Sequence, residues 1–237
     1  MANYACFLSC EHGGYEIPPT YQQYFIGQEA ILQSHRGWDP GTLDLAKVLS
    51  AKLELPLVSC TISRLLIEMN RSLGHPQLYS EFTNYLSYEE KALLIKELYL
   101  PYRNKITSII EKNIEDKQTN VHFSIHSFTP VYDGNIRNLD IGILFDPGRK
   151  LELGIAKQIK PELVDLLPRS KIFFNEPYRG IDDGLTSYLR TKYKDSRYAG
   201  IEIEINQKWV GTDHFIDITR AMEIILNGFK TRKPVTK

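Results

Sequence analysis

Cysteine is scarce in this chain. Its three residues, Cys6, Cys10 and Cys60, are odd in number and lack the spacing of a zinc finger or a disulfide framework. That pattern argues against a disulfide-stapled secreted scaffold and fits reduced thiols in a reducing compartment. Net charge is absent too, since Lys+Arg and Asp+Glu both total 29. No global positive field exists to gather nucleic acid or an anionic membrane. No window approaches the roughly 18 apolar residues of a bilayer-crossing helix. Residues 1–10 lack the basic start and long apolar stretch of a signal peptide. Internal repeats, low-complexity tracts and Pro/Gly/Ser linkers are missing as well. These absences predict a cytoplasmic protein with no nucleic-acid or membrane partner, and they leave its oligomeric state open.

What is present is ordinary for a globular protein: 42% hydrophobic and 24% charged residues over 237 positions. That length suits one α/β domain spanning residues 1–237. The locally basic end, about 230–237, reads as a frayed tail. Short apolar runs at 4–9, 57–61, 121–125, 140–145, 171–174 and 200–205 each end in polar or turn-forming residues, as buried strands do. Helical spacing appears at 41–53, 88–113, 151–167 and 212–230, with Pro101 able to break or kink the second of these. Alternating strands and helices predict a mainly parallel or mixed central sheet flanked by helices. Ligands in such folds gather at the carboxyl ends of strands.

Three segments there carry residues suited to chemistry. His12 follows the first strand, Asp39 sits in a Trp38-Asp39-Pro40-Gly41 loop before a helix, and His126 ends the 121–125 strand. Two imidazoles and a carboxylate are the ligand set of a catalytic zinc that keeps its fourth position for water. Histidines at strand ends, however, more often serve only as hydrogen-bonding groups. In the second segment, Arg64, Asn70 and Arg71 bracket an apolar run. Guanidinium forks clamp carboxylates and polarise carbonyls, although Arg64 or Arg71 paired with Glu68 would be the simpler use. In the third, Glu202 and Glu204 share one face of an isoleucine-rich strand. Either could act as a general base, although a half-exposed strand with both glutamates in water is the simpler account of the alternation.

Together these segments resemble the N-formylglutamate amidohydrolase family, whose fold is related to the zinc carboxypeptidase and aspartoacylase type. The resemblance rests on Cys10-Glu11-His12-Gly13-Gly14 followed by Ile17-Pro18, then Trp38 to Gly41, and Ser63-Arg64 through Asn70-Arg71. It continues with His126 to Pro130, Arg137, Ile141 to Leu144, Asn175 to Tyr178 and Glu202 to Ile205. The pieces occur in the family's order across nearly the whole chain. The resemblance implies one zinc held by His12, Asp39 and His126, a carbonyl polarised by Arg64, and a substrate carboxylate bound by Asn70 and Arg71. Glu204 would be the catalytic glutamate, with Glu202 as its substitute. Asn175, Glu176 and Tyr178 would shape the substrate pocket, and Arg137 would support a second acidic group. The implied reaction is hydrolysis of the acyl amide of a small N-acyl amino acid such as N-formyl-L-glutamate. Two departures stand out. Asn206 occupies a position where the family often has arginine, and Glu16, four residues after His12, is a competing carboxylate ligand.

Other readings compete. Cys10 lies two residues before His12, yet no cysteine-nucleophile signature accompanies it. Ser124 and Ser127 flank His126 without a Gly-x-Ser-x-Gly elbow. A non-catalytic amino-acid-binding module on the same fold is the main alternative to an enzyme. His35, His75 and His214 read as solvated, and His122 reads as core or as a partner of His126.

Overall fold

The computed structural model describes residues 4–231, with Thr231 described by its backbone alone. The strands are β1 (Tyr4–Cys10), β2 (Leu57–Ser59), β3 (Thr119–Phe128), β4 (Val131–Tyr132), β5 (Asn135–Ile136), β6 (Ile141–Leu144), β7 (Ile172–Phe174) and β8 (Tyr198–Asn206). The helices are α1 (Glu29–Leu32), α2 (Thr42–Leu53), α3 (Tyr88–Leu94), α4 (Leu100–Glu115), α5 (Lys150–Leu166), α6 (Leu185–Lys192) and α7 (Asp213–Thr231). All six strands and all four helical stretches expected from the sequence are present, with ends shifted by a few residues.

Six strands form one sheet in the order β2-β1-β3-β8-β6-β7. Every neighbouring pair is parallel except β6 with β8, which is antiparallel, so the sheet is mixed. Successive side chains of a strand alternate between faces, and the sequence uses that alternation to separate two environments. Val121, Phe123 and Ile125 of β3 and Ile201, Ile203 and Ile205 of β8 enter one cluster with Leu45 and Leu49 of α2, Ile159 of α5 and Met222 of α7. The opposite face carries His122, Ser124 and His126 of β3 and Glu204 of β8, all buried. It is covered by α4, α6 and the segment around Leu65 to Leu86. One face is thus an ordinary apolar core, in which each buried aliphatic side chain contributes about 1.5–3 kcal/mol. The other holds a polar stripe that must find partners.

The interruption expected at Pro101 is present, and three further elements go beyond the sequence expectation. Helix α3 starts at a capping box, Ser87 with Glu90, and runs into a π turn at Ile95–Tyr99 before α4 begins with Pro101 in its first turn. The ring nitrogen of Pro101 cannot donate, and the widened turn lies where that missing bond interrupts the α ladder. Helices α1 and α6 and the β4–β5 hairpin were not anticipated. The hairpin turns on Asp133-Gly134, both with positive φ (49° and 73°), as a two-residue type I′ turn requires. Of the basic tail, Lys230 belongs to α7 and donates to the Leu53 carbonyl at 2.6 Å, while residues 232–237 lie outside the described residues. Among the described residues, no helix is long and apolar enough to cross a membrane.

Candidate active site

Three loop and strand ends converge on the polar face of the sheet. His12 lies two residues beyond β1, and its carbonyl accepts the Asp39 N–H at 2.9 Å. This backbone clip brings the loop before α2 alongside β1. The turn after His12 is tight: a Cβ on Gly14 would stand 2.6 Å from the Thr61 carbonyl oxygen. His126, near the end of β3, completes the group. Asp39 Oδ2 lies 3.2 Å from His12 Nδ1 and 3.0 Å from His126 Nδ1. One ligand atom from each of the three buried residues falls within 4.8 Å of the others, so the group could hold a metal ion. Metal–ligand bonds of about 2.0–2.1 Å in a tetrahedron place neighbouring ligand atoms about 3.3 Å apart, and the two Nδ1–Oδ2 separations agree with that.

The outer nitrogens strengthen the fit. His126 Nε2 lies 2.9 Å from Glu11 Oε2 and 2.9 Å from the Ser124 hydroxyl, and His12 Nε2 makes a short contact with Glu68 Oε1. Each imidazole therefore shows Nδ1 to the common centre and Nε2 to a buried carboxylate. A carboxylate behind a ligating histidine fixes its tautomer and raises its basicity. Without a cation at the centre, His126 needs a proton on each nitrogen to satisfy Asp39 and Glu11 together. Burial disfavours that charge, but hydrogen bonds to the two carboxylates outweigh it and hold the imidazolium well above its ordinary range. Burial likewise pushes the Glu11 carboxyl up, and His126 more than reverses it, so Glu11 stays ionised. Glu11 is anchored from behind by Tyr102 Oη at 2.6 Å and Ser124 Oγ at 2.5 Å.

Arg64 closes the cluster. Its Nε donates to Glu68 Oε2 and its Nη1 to Asp39 Oδ1, both at 2.9 Å, and its Nη2 lies 2.7 Å from His12 Nδ1. Against the cost of burial, this guanidinium is the chief influence holding Asp39 and Glu68 below the usual carboxylate range. The Arg64–Glu68 pairing is thus real and part of the centre. Glu16 stands apart: it is exposed and accepts from Thr61 Oγ1 at 2.7 Å. Asp39 is the carboxylate that joins the two histidines.

Glu204 sits directly across from His126 in the β3–β8 ladder. It is buried, and its Oε2 has no hydrogen-bond partner among the described residues. Burial, the largest influence, pushes its carboxyl up to about 8. Glu202, on the same face, is instead bonded to Thr186 Oγ1. Opposite Glu204, Gly142 of β6 has no room for a side chain, because a Cβ there would meet the Glu176 carbonyl oxygen at 2.0 Å.

A cavity of about 330 Å³ opens over this group and is lined by Asn70, Arg71, Tyr178, Glu202 and Glu204. Asn70 Oδ1 accepts the Leu185 N–H at the start of α6, and Arg71 Nη1 donates to the Asp183 carbonyl. Arg137 does not line the cavity: it donates to Tyr178 Oη at 3.1 Å and stacks on Tyr132 and Tyr178. Asn175 and Glu176 do not line the cavity. The Asn175 side chain accepts from the Phe145 and Gly180 N–H groups, which shapes the loop that presents Tyr178. Asn206, the departure noted above, bonds the Arg137 and Leu139 carbonyls. His122 is buried between Ser9 and Tyr198 and stacked on Phe7, and burial lowers it to about 4. It belongs to the interior, not to the His-Asp-His group. His214 is not simply solvated, since it packs on Trp209 and bonds Ser170.

Sequence reasoning missed Glu11 and Glu68 as backing groups. The signal for Glu11 was its place beside His12, and the signal for Glu68 was its place between Arg64 and Asn70. Neither spacing reveals that the two carboxylates stand behind different histidines.

Fold and site together define an α/β protein with a mixed central sheet and a buried His-Asp-His group beneath a polar cleft. The sequence model of the N-formylglutamate amidohydrolase family matches residues 4–210, and the chain belongs to that family. It superposes on the crystal structure of gene product Atu2144 from Agrobacterium tumefaciens with a TM-score of 0.79 at 27% identity, over 97% of this chain and 90% of that one. With the N-formylglutamate amidohydrolase from Ralstonia eutropha JMP134 the TM-score is 0.73 at 16% identity, over 97% and 94% of the two chains. No curated protein matches the sequence.

Proposed function

We propose that the chain is a zinc-dependent amidohydrolase that cleaves the acyl amide of a small N-acyl amino acid, N-formyl-L-glutamate being the first candidate. The observation that carries this reading is the pair of imidazoles sharing Asp39 Oδ2, each backed by its own buried carboxylate. His12, Asp39 and His126 would hold the ion. A zinc ion so held supplies Lewis acidity and makes water acidic enough to lose a proton near neutral pH.

The chain's own residues do the rest. Glu204 Oε2 takes the proton of the attacking water and later delivers it to the departing nitrogen, yielding a carboxylate and a free amino acid. Its elevated proton affinity suits both halves of that task, and a dication nearby would bring it down toward neutrality. Arg64 places a fixed positive charge where the carbonyl oxygen becomes an oxyanion. Arg71 and Asn70 receive the substrate carboxylate, Tyr178 borders the bound substrate, and Arg137 fixes the Tyr178 hydroxyl. Asn175 and Glu176 act through the loop that carries Tyr178.

The test combines elemental mass spectrometry of the purified protein and its His126→Ala variant with turnover of N-formyl-L-glutamate. About one zinc per chain, lost in the variant together with turnover, is the expected result. A chain that takes up no metal on reconstitution would refute the metal, and a loaded chain that binds N-acyl amino acids without cleaving any would favour a binding module.

A further inference from the structure

The cavity over Glu204 is only half of the cleft. A second lobe of about 510 Å³ opens on the other side of a wall formed by Asp39, Arg64, Glu68, Ser127, Tyr132 and Tyr178, residues that line both lobes. Of the group that would hold the metal, Asp39 borders both lobes and His126 the smaller one, so the centre lies beside the junction. An amide bond placed there sends one substituent into each lobe. The lobe with Arg71 suits a carboxylate-bearing amino acid, as proposed above. The larger lobe then faces the acyl carbon, and a formyl group, which has only hydrogen in that direction, would leave it filled with water.

We infer that the acyl half of the natural substrate is bulky and uncharged, a linear or aromatic acyl group in place of formyl. This inference rests on the amidohydrolase reading of the same site. The lining of the second lobe is about equally polar and apolar, and its apolar part suits a hydrocarbon group. Leu65, Pro76, Tyr79, Phe128, Tyr132 and Tyr178 present apolar and aromatic surface to it. Its charged members are matched within the protein: Arg36 is paired with Glu81, and Arg64 with Asp39 and Glu68. Arg137 does not line the lobe: it stands behind Phe128, Tyr132 and Tyr178, held by their ring faces and by the Tyr178 hydroxyl. Gln77, Thr129 and Gln207 add groups able to hydrogen-bond along the rim. An acyl chain that crossed the wall would exchange water for this lining, gaining up to about fourfold in kcat/KM for each methylene it buries.

The experiment measures kcat/KM of the zinc-loaded protein for a series of glutamate amides: formyl, acetyl, succinyl, hexanoyl and benzoyl. The expected order has hexanoyl and benzoyl at least about tenfold above formyl and succinyl. Gln77→Trp, at an exposed position on the far wall of the larger lobe, should lower the hexanoyl-to-formyl ratio about tenfold or more, with thermal unfolding confirming an intact fold. Formyl as the fastest substrate, with rates falling as the acyl group grows, would overturn the inference and leave the amidohydrolase reading standing. A hexanoyl preference untouched by Gln77→Trp would remove the larger lobe as its binding place. Failure to cleave any member would remove the hydrolase reading and this inference with it.

Discussion

Replacing Glu204 by glutamine isolates the proton carrier from the rest of the site. The side chain is 5% exposed, and its Oε2 has no partner among the described residues, so an amide of the same shape enters without breaking a hydrogen bond. Turnover should fall by about 10²–10⁴-fold, the usual contribution of a positioned acid–base group, while metal content stays that of the parent. A second consequence concerns stability. The folded metal-free protein keeps Glu204 protonated to about 8, against an ordinary value of 4.5. Between those values the unfolded chain ionises first and binds fewer protons than the folded one, so this residue makes stability fall as pH rises through that window. The loss is on the order of a few kcal/mol, complete above the folded value and absent below the unfolded one. Glu204→Gln should remove that slope, leaving the metal-free variant more stable than its parent at pH 9 and close to it at pH 4. Steady-state turnover, elemental analysis and denaturant unfolding at the two pH values check all three points. A variant with turnover within threefold of the parent, or a metal-free variant less stable than its parent at pH 9, would refute the reasoning.

Glu11→Gln keeps the shape behind His126 but removes the charge, and should weaken metal binding about 10–100-fold by competition with a chelating dye. Gly142→Ala places a Cβ 2.0 Å from the Glu176 carbonyl oxygen; the overpacking should cost about 1–3 kcal/mol and lower Tm by roughly 2–12 °C in calorimetry. Cys6, Cys10 and Cys60 are buried, and burial pushes their thiols up to about 12, 12 and 11. Iodoacetamide at pH 8 should leave turnover intact and label them only after denaturation, as followed by intact mass; rapid loss of activity would revive a cysteine mechanism.

Much of this architecture is legible in the sequence because strands announce themselves by period. The isoleucines of β8 alternate with Gly200, Glu202 and Glu204, and that alternation already separates an apolar face from a polar one. His12, Asp39 and His126 stood out as candidates because each lies at or near an element end, but their spacing is too dispersed for a motif and only the family resemblance joined them. Helix α6 was not, since its eight residues form too short an amphipathic pattern to stand out beside the Asp182-Asp183-Gly184 turn. Tertiary pairing hid the rest. Glu68 is 56 positions from the histidine it backs, and Glu11 reaches Tyr102 and Ser124 across 91 and 113 positions. Local spacing carries no trace of such partners; the packing of α4 on β2 and β3, and the pairing of β3 with β1, bring Tyr102 and Ser124 to Glu11. The division of the cleft into two lobes is likewise a property of the assembled surface.

That division has a consequence for how such a protein can change. The outer wall of the smaller lobe comes from residues 179–183, and that of the larger lobe from residues 76–81. These stretches are distant in the chain, and neither contains a member of the His-Asp-His group. Mutation can therefore remodel the room for one half of a substrate without disturbing the room for the other. Tyr132, on the Asp-Gly hairpin, and Tyr178 border both lobes, so a change at either would alter both halves at once. Drift in the outer loops would yield gradual, separable shifts in preference, whereas a single lesion in the hairpin would redraw the whole cleft.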